Sequence, residues 1–150
     1  NLENYPPFAD RQIEAVIELC RSICSRYEIR PENVLAHSDI APERKTDPGH
    51  NFPWKKLHAA GIGHLIEPTA VRGGRFLARG EQGQPVEALQ SMLALYGYKI
   101  EINGVFDEAT ETVIKAFQRH FRTQNVDGVA DVSTIDTLYR LIFSLQNVTA

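Results

Sequence analysis

The chain has 150 residues, 43% of them hydrophobic and 23% charged, a composition that excludes a disordered, collagenous or coiled-coil protein. Its formal net charge is −3, so no basic excess favours nucleic acid or an anionic membrane surface as a partner. No apolar run approaches the roughly 18 residues of a membrane span, and two cysteines cannot build a disulfide scaffold. We therefore expect a folded chain with no transmembrane segment and no nucleic-acid partner.

An amphipathic helix is the first predicted element, over residues 10–27. Asp10 is its candidate N-cap. The apolar residues recur at spacings of three and four and fall on one helical face: Ile13, Val16, Ile17, Cys20, Ile23, Cys24 and Tyr27. Cys20 and Cys24 lie four residues apart on that face, where a disulfide fits poorly, so we expect two buried thiols.

A short strand and a long loop are predicted next. Val34-Leu35-Ala36 is an apolar run too short for a helix, which indicates a strand that ends at His37. The segment 38–54 contains three prolines and a glycine and is predicted to be irregular. A short helix is expected from Trp54 to Ala60, before Gly61.

The second half of the sequence predicts a linker and three helices. Glycine, proline and arginine concentrate between residues 67 and 85, which is typical of a linker. Three amphipathic patterns follow. Their apolar stripes are expected to form one small core, made of Leu89, Leu93, Ile114, Phe117, Phe121, Leu138 and Ile142. The third stripe also includes Ile135, Tyr139 and Phe143.

An internal repeat separates the three helical patterns. Residues 103–110 and 127–134 share the pattern Asn/Asp-Gly-Val-x-Asp-x-x-Thr at a distance of 24 residues. Asn or Asp before Gly suits a tight turn with positive φ, and Asp107 and Asp131 can cap the helices that follow. We interpret both copies as structural devices that carry no chemistry.

Residues suited to chemistry concentrate in the loop that follows the predicted strand. His37 and Asp47 are ligand types that zinc prefers, and Lys45 could stabilise an oxyanion, but from their spacing alone we favour an ordinary loop. His50 is either a further ligand or a loop histidine, and we favour the second. Asp39 either orients His37 or accepts hydrogen bonds from its own loop backbone, which we favour.

Four aromatic residues outside that set are also candidates for a functional role. Trp54 could line a substrate groove, but Phe-Pro-Trp more often anchors a loop to the core, and we favour the anchor. His58, His64 and His120 are expected at the surface.

The block from His37 to Gly49 resembles the signature loop of the zinc-dependent N-acetylmuramoyl-L-alanine amidases of the type-2 family, as do residues 31–36 and 52–54. The resemblance implies an α/β domain with a mixed sheet flanked by helices, of which this chain holds only the C-terminal part. It also implies that His37 and Asp47 are zinc ligands and that Lys45 is the catalytic oxyanion-stabilising residue.

The second half resembles the small all-α, three-helix peptidoglycan-binding domain, through residues 86–90, 97–98, 103–107, 116–118 and 127–129. The layout implied is an amidase part over 1–67, a linker over 68–80 and a peptidoglycan-binding domain over 81–150. Tyr98 and Gln118 are candidate wall contacts. The alternatives are core packing for Tyr98 and a solvated face for Gln118.

The two resemblances together imply a hydrolase that cuts the amide bond between N-acetylmuramic acid and L-alanine. Peptidoglycan and muropeptides would be its partners, the periplasm or cell envelope its location, and a monomer its state. Such enzymes need a further histidine ligand and a general-base glutamate, yet no histidine precedes His37. The alternative is a non-catalytic protein that binds or recognises peptidoglycan and has an incomplete amidase domain.

Overall fold

The structure, a computed structural model, describes residues 6–148, and side chains as far as residue 145. The described residues form α-helices and one short 3₁₀ segment, Pro31–Asn33. The helices are α1 (Asp10–Tyr27), α2 (His37–Ile40), α3 (Trp54–Ala59), α4 (Gln84–Tyr96), α5 (Glu108–Phe121) and α6 (Val132–Val148). Within residues 6–148, no helix is both long and apolar enough to cross a membrane.

The mixed sheet is not found between residues 6 and 148, where pairing is limited to two isolated antiparallel bridges, Leu77 with Ala130 and Gln82 with Val105. The predicted strand over 34–36 is wrong for this chain. Val34 has an extended backbone (φ −89°, ψ 104°), and His37 begins a helix instead of ending a strand. An extended segment becomes a stable strand only when a neighbour pairs with it, and the described residues supply none.

Helix α1 has the predicted bounds, but its start is built differently. Ala9 is the N-cap, so Asp10 lies within the first turn and the predicted cap is wrong. Lys56 Nζ donates to Asp10 Oδ1 at 2.7 Å, and this hydrogen bond and charge lower the pKa of Asp10. Cys20 and Cys24 are free thiols, half-buried where full burial was predicted. Burial, followed by the neighbouring Cys24, raises the pKa of Cys20.

A small apolar core holds residues 6–67 together. It is made of Ile13, Ala36, Trp54, Leu57 and Ile62, with Phe8, Val16, Ile17 and Phe52 partly buried against it. The predicted helix after the loop is confirmed as α3, whose Trp54 and Leu57 supply its two buried side chains.

The three predicted helices of the second half are confirmed as α4, α5 and α6. Six residues of the predicted core are buried and Ile142 is partly buried, in a cluster that also includes Val86, Phe106, Val113 and Leu141. Tyr139 and Phe143 are 59% and 52% exposed, so that part of the predicted α6 stripe is wrong. The buried face of α6 instead passes through Thr134, Leu138 and Leu141, at the expected spacing of three to four residues.

Both copies of the internal repeat are held by a buried glutamine. Gln90 Oε1 accepts the backbone N–H groups of Asn103 and Gly104, and its Nε2 donates to Asn103 Oδ1, Val105 O and Thr110 Oγ1. Gly104 has the positive φ expected of the turn, 72°. The Asp107 side chain caps α5 by accepting the N–H of Thr110, as predicted.

The second copy repeats these contacts atom for atom. Gln118 Oε1 accepts the N–H groups of Asp127 and Gly128, and its Nε2 donates to Asp127 Oδ1, Val129 O and Thr134 Oγ1. Gly128 has φ 78°, and Asp131 accepts the N–H of Thr134. The structural role predicted for the repeat is therefore confirmed.

The segment between the two halves lies against α6. Leu77 exchanges both backbone hydrogen bonds with Ala130, at 3.0 and 2.9 Å, and Ser133 Oγ donates to Thr69 O at 2.6 Å. Arg140 reaches back to Glu67 O at 2.8 Å. The boundaries after residues 67 and 80 remain a prediction.

Candidate functional site

His37 and Asp47, the two predicted metal ligands, face each other across the loop that follows α2. His37 Nδ1 lies 3.1 Å from Asp47 Oδ2, and each side chain is half exposed. The backbone N–H of Ser38 donates to Asp47 O at 3.1 Å, which ties the first turn of α2 to the far end of the loop. The structure therefore brings together two residues that are ten apart in sequence.

The geometry of this pair fits zinc. Imidazole nitrogen and carboxylate oxygen are both zinc donors, and two donors about 2.0–2.1 Å from a tetrahedral zinc lie roughly 3.3 Å apart. The observed separation of 3.1 Å is close to that value and is also the length of a His–Asp hydrogen bond. Between residues 6 and 148, however, no three His, Cys, Asp or Glu side chains gather in a way that could hold a metal ion. The pair supplies two donors, and one more is needed for a catalytic zinc site.

Lys45 and His50 flank Asp47 in the same loop. Lys45 is half-buried, and its backbone N–H donates to Ala41 O at 2.9 Å, within the turn that follows α2. His50 is partly buried, and its Nδ1 has no hydrogen-bond partner among the described residues. The roles assigned to His37, Asp47 and Lys45 remain predictions.

Asp39, two residues after His37, carries a buried carboxylate with three donors. The N–H of Ala36 donates to Oδ2 at 2.9 Å, which confirms the favoured interpretation that Asp39 serves its own loop backbone. Tyr98 Oη also donates to Oδ1 at 2.6 Å, and His120 Nδ1 lies 2.6 Å from Oδ2. Two of the three partners thus come from the second half of the chain.

His120 was expected at the surface, and this prediction is wrong. The residue is 3% exposed and lies between two rings, with Trp54 at 3.8 Å and an interplanar angle of 16°, and Phe121 at 3.8 Å and 7°. Its position at the end of α5 is covered because α2 packs there. Trp54 is 7% exposed, so its favoured interpretation as an anchor is confirmed.

His64 makes a second polar connection between the halves. Its Nδ1 lies 2.6 Å from Tyr96 Oη and its Nε2 lies 2.7 Å from Ser144 Oγ. Burial is the main cause that lowers the pKa of His64. The predicted surface position is therefore wrong for His64, whereas His58 is exposed as expected.

Tyr98 and Gln118 are too buried to be wall contacts. Tyr98 is 7% exposed, which confirms the alternative of core packing, and Gln118 is fully buried, so its solvated-face alternative is also wrong. Burial first, and then the negative charge of Asp39, raise the pKa of Tyr98 well above its usual value, so its hydroxyl remains a donor.

Helical spacing could have indicated that His120 is buried, because it lies three residues after Phe117. No sequence pattern, however, joins His120 to Asp39 and Tyr98. His120 lies 81 residues from Asp39 and Tyr98 lies 59 residues from it. Neither helical periodicity nor motif spacing relates positions so far apart.

Comparisons with known proteins agree with both resemblances. Residues 1–50 match the N-acetylmuramoyl-L-alanine amidase family, and residues 82–138 match the family described as a putative peptidoglycan binding domain. In sequence, the chain is 44% identical over 132 residues to N-acetylmuramoyl-L-alanine amidase AmiD of Escherichia coli, which is 87% of this chain and 47% of AmiD. The chain therefore spans about half the length of this curated relative.

Two solved structures share the fold. One is the E. coli AmiD complex with the substrate anhydro-N-acetylmuramic acid-L-Ala-D-γ-Glu-L-Lys, with a TM-score of 0.74 and 40% identity, covering 92% of this chain and 53% of AmiD. The other is AmpDh3 from Pseudomonas aeruginosa in complex with anhydromuramic pentapeptide. Its TM-score is 0.73 and its identity 31%, over 95% of this chain and 56% of AmpDh3.

Proposed function

We propose that this chain, which is homologous over most of its length to the N-acetylmuramoyl-L-alanine amidases, is part of a zinc-dependent enzyme of that kind. The reaction is hydrolysis of the amide bond between N-acetylmuramic acid and L-alanine in peptidoglycan. The observation that carries the proposal is the approach of His37 Nδ1 to Asp47 Oδ2, at 3.1 Å, within the loop that resembles the amidase signature. The 44% identity to AmiD supports the same assignment.

Each of the three candidate site residues in the loop then has a defined role. His37 and Asp47 would hold the zinc ion through Nδ1 and a carboxylate oxygen. When bound, zinc would supply Lewis-acid activation of the attacking water and of the scissile carbonyl group. The Lys45 ammonium group would stabilise the negative charge that develops on the carbonyl oxygen. Residues 82–138 would bind the wall and so raise the local concentration of substrate.

The remaining parts of the site would lie outside this chain. Two protein donors are fewer than the three that catalytic zinc sites use, and proton transfer to the leaving amine needs a general acid–base group. Because the chain spans 47% of AmiD, we propose that the complete protein supplies a further histidine, a glutamate and the strands of the mixed sheet. The substrate implies a location in the periplasm or cell envelope.

Lys45→Ala in the complete protein tests the catalytic assignment. With anhydro-N-acetylmuramic acid-L-Ala-D-γ-Glu-L-Lys as substrate, we expect turnover to fall roughly 10²- to 10³-fold, the usual cost of removing one oxyanion donor. The zinc content should not change. Lys99→Ala, at an exposed lysine, is the matched control and should keep normal turnover. Near-normal turnover of the Lys45 variant would show that Lys45 is only a loop residue.

Zinc titration tests the metal assignment separately. The 150-residue chain should bind zinc weakly or not at all by calorimetry, because it offers two protein donors. The complete protein should bind one zinc ion and lose it in the His37→Ala variant. Nanomolar binding by the 150-residue chain alone would contradict the proposal that a third ligand lies outside it.

A non-catalytic protein that binds or recognises peptidoglycan is the second candidate. It is favoured by one observation, the lack of three potential metal ligands in one place between residues 6 and 148. This candidate predicts that the complete protein sediments with purified sacculi and releases no stem peptide from them. The amidase proposal predicts both sedimentation and release of peptide.

A further inference from the structure

One buried carboxylate joins the two halves of the chain. The side chain of Asp39 is 4% exposed and that of His120 is 2% exposed. Oδ1 of Asp39 accepts the Tyr98 hydroxyl at 2.6 Å, while Oδ2 contacts His120 Nδ1 at 2.6 Å and accepts the Ala36 N–H at 2.9 Å. A buried carboxylate is costly unless it is well supplied with donors, so Asp39 depends on both residues of the other half.

The same carboxylate is connected to the predicted zinc ligands through the backbone of α2. Asp39 and His37 share α2, which is only four residues long and is held at its N-terminus by the Asp39 carboxylate itself. The backbone N–H of Ser38, which lies between His37 and Asp39 in that helix, donates to Asp47 O. The orientation of α2 therefore decides how the His37 ring faces the Asp47 carboxylate.

The imidazole of His120 is itself rigidly held. It is stacked between Trp54 and Phe121, with both ring centroids at 3.8 Å, so the contact of its Nδ1 with Asp39 restricts the ring little further. Tyr98 is equally fixed by the core around Phe117, to which its ring lies at 6.3 Å. Both donors are thus preorganised by the helices of the second half.

We propose that Tyr98 and His120 are positioning residues for the His37–Asp47 pair and act through Asp39. The second half of the chain would then be part of the framework of the amidase site and more than a tether to the wall. The catalytic meaning of this inference rests on the proposed function, but the positioning itself does not.

Hydrogen exchange in the metal-free 150-residue chain tests the positioning. Asn and Gln at position 120 form a matched pair, because the Asn amide nitrogen takes the place of Nδ1 while the Gln amide nitrogen takes the place of Nε2. Both substitutions lose the stacking, and only Asn keeps a donor for Asp39. We expect His120→Gln and Tyr98→Phe to speed exchange of the Ser38 and Asp39 amides by about ten- to a hundredfold, the factor expected when a charged group loses one hydrogen bond. In the His120→Asn variant, by contrast, these two amides should exchange as slowly as in the unchanged protein.

Internal references separate a positioning role from a general loss of stability. Amides of α1 and α4 should exchange at wild-type rates in all variants, and Tyr139→Phe, at an exposed tyrosine, should change nothing. Uniform acceleration through α1 and α4, or equal rates for His120→Asn and His120→Gln, would overturn the proposal.

Steady-state kinetics of the complete enzyme test the catalytic meaning separately. There, Tyr98→Phe should lower kcat and leave KM within about twofold, since an interaction that serves only the transition state affects both kcat and kcat/KM. A rise in KM at unchanged kcat would overturn the catalytic meaning. If the complete protein has no amidase activity, the proposed function fails, while the exchange result still decides the positioning.

Discussion

In the second half of the chain, Gln90 and Gln118 satisfy the backbone groups of the two turns from within the same three helices. In the first half, Asp39 obtains one hydrogen bond from its own loop and two from Tyr98 and His120, across the molecule. Helices α5 and α6 begin with side-chain caps from Asp107 and Asp131, whereas α1 to α4 have none at the N-cap position. The second half is thus built from local devices that recur, and the first half depends on distant partners.

The largest expected effect comes from breaking the buried ion pair of the second half. Arg122 is fully buried, and its Nη1 donates to both oxygens of Asp131, at 2.6 and 2.8 Å. Arg122→Met would leave Asp131 without its cation, so we expect a loss of about 3–5 kcal/mol in the free energy of unfolding. Urea denaturation measures it, with Arg72→Met, at an exposed arginine, as control. A loss below about 1 kcal/mol would show that Asp131, whose side chain is 15% exposed, is solvated well enough without its cation.

The glutamines provide the next test, because the two copies should respond alike. Gln90→Ala and Gln118→Ala each remove the acceptor of two backbone N–H groups, and we expect each to cost about 2–4 kcal/mol in urea denaturation. Gln124→Ala, at an exposed glutamine, is the control. A large cost for one glutamine and none for the other would show that the copies are not energetically equivalent.

A smaller difference in stability should show where the independently folding part of the second half begins. Residues 81–150 should fold alone, as judged by circular dichroism, because most of the second core lies within them. Residues 75–150 add Leu77 and its two backbone hydrogen bonds to Ala130, and we expect them to be more stable by about 1–2 kcal/mol. Equal stabilities would place the boundary at residue 81, and an unfolded shorter chain would contradict the predicted domain.

The smallest effect is the loss of folding stability at acidic pH. Burial acts to raise the pKa of Asp131, but the hydrogen bond from Arg122, and those from Thr134, together lower it below its usual value near 3.8. A carboxyl group whose pKa is lowered by folding stabilises the protein above its usual pKa, and that contribution is lost as the pH falls through the folded value. Denaturation between pH 5 and pH 2 should therefore show a loss of stability that is smaller in Asp131→Asn. The same slope in both proteins would exclude Asp131 as its source.

Much of this architecture was determined by the sequence through local rules. Helix α1, the three later helices and the two capped turns were predicted because periodicity, Asn/Asp-Gly turns and Asp caps act over a few residues. The loop that holds His37, Lys45 and Asp47 was identified by resemblance. Its chemistry is a prediction, and the approach of His37 to Asp47 at 3.1 Å is a property of the folded loop.

Tertiary structure alone decided what surrounds that loop. The segment 34–36 has the composition of a strand, but strand formation needs a neighbour, and the described residues offer no pairing partner. Helical spacing from Val113 and Phe117 places His120 on the apolar face of α5, but only tertiary packing decides that α2 and Trp54 cover it there. The contacts among Asp39, Tyr98 and His120 join positions 59 and 81 residues apart, and only packing of the two halves brings such positions together.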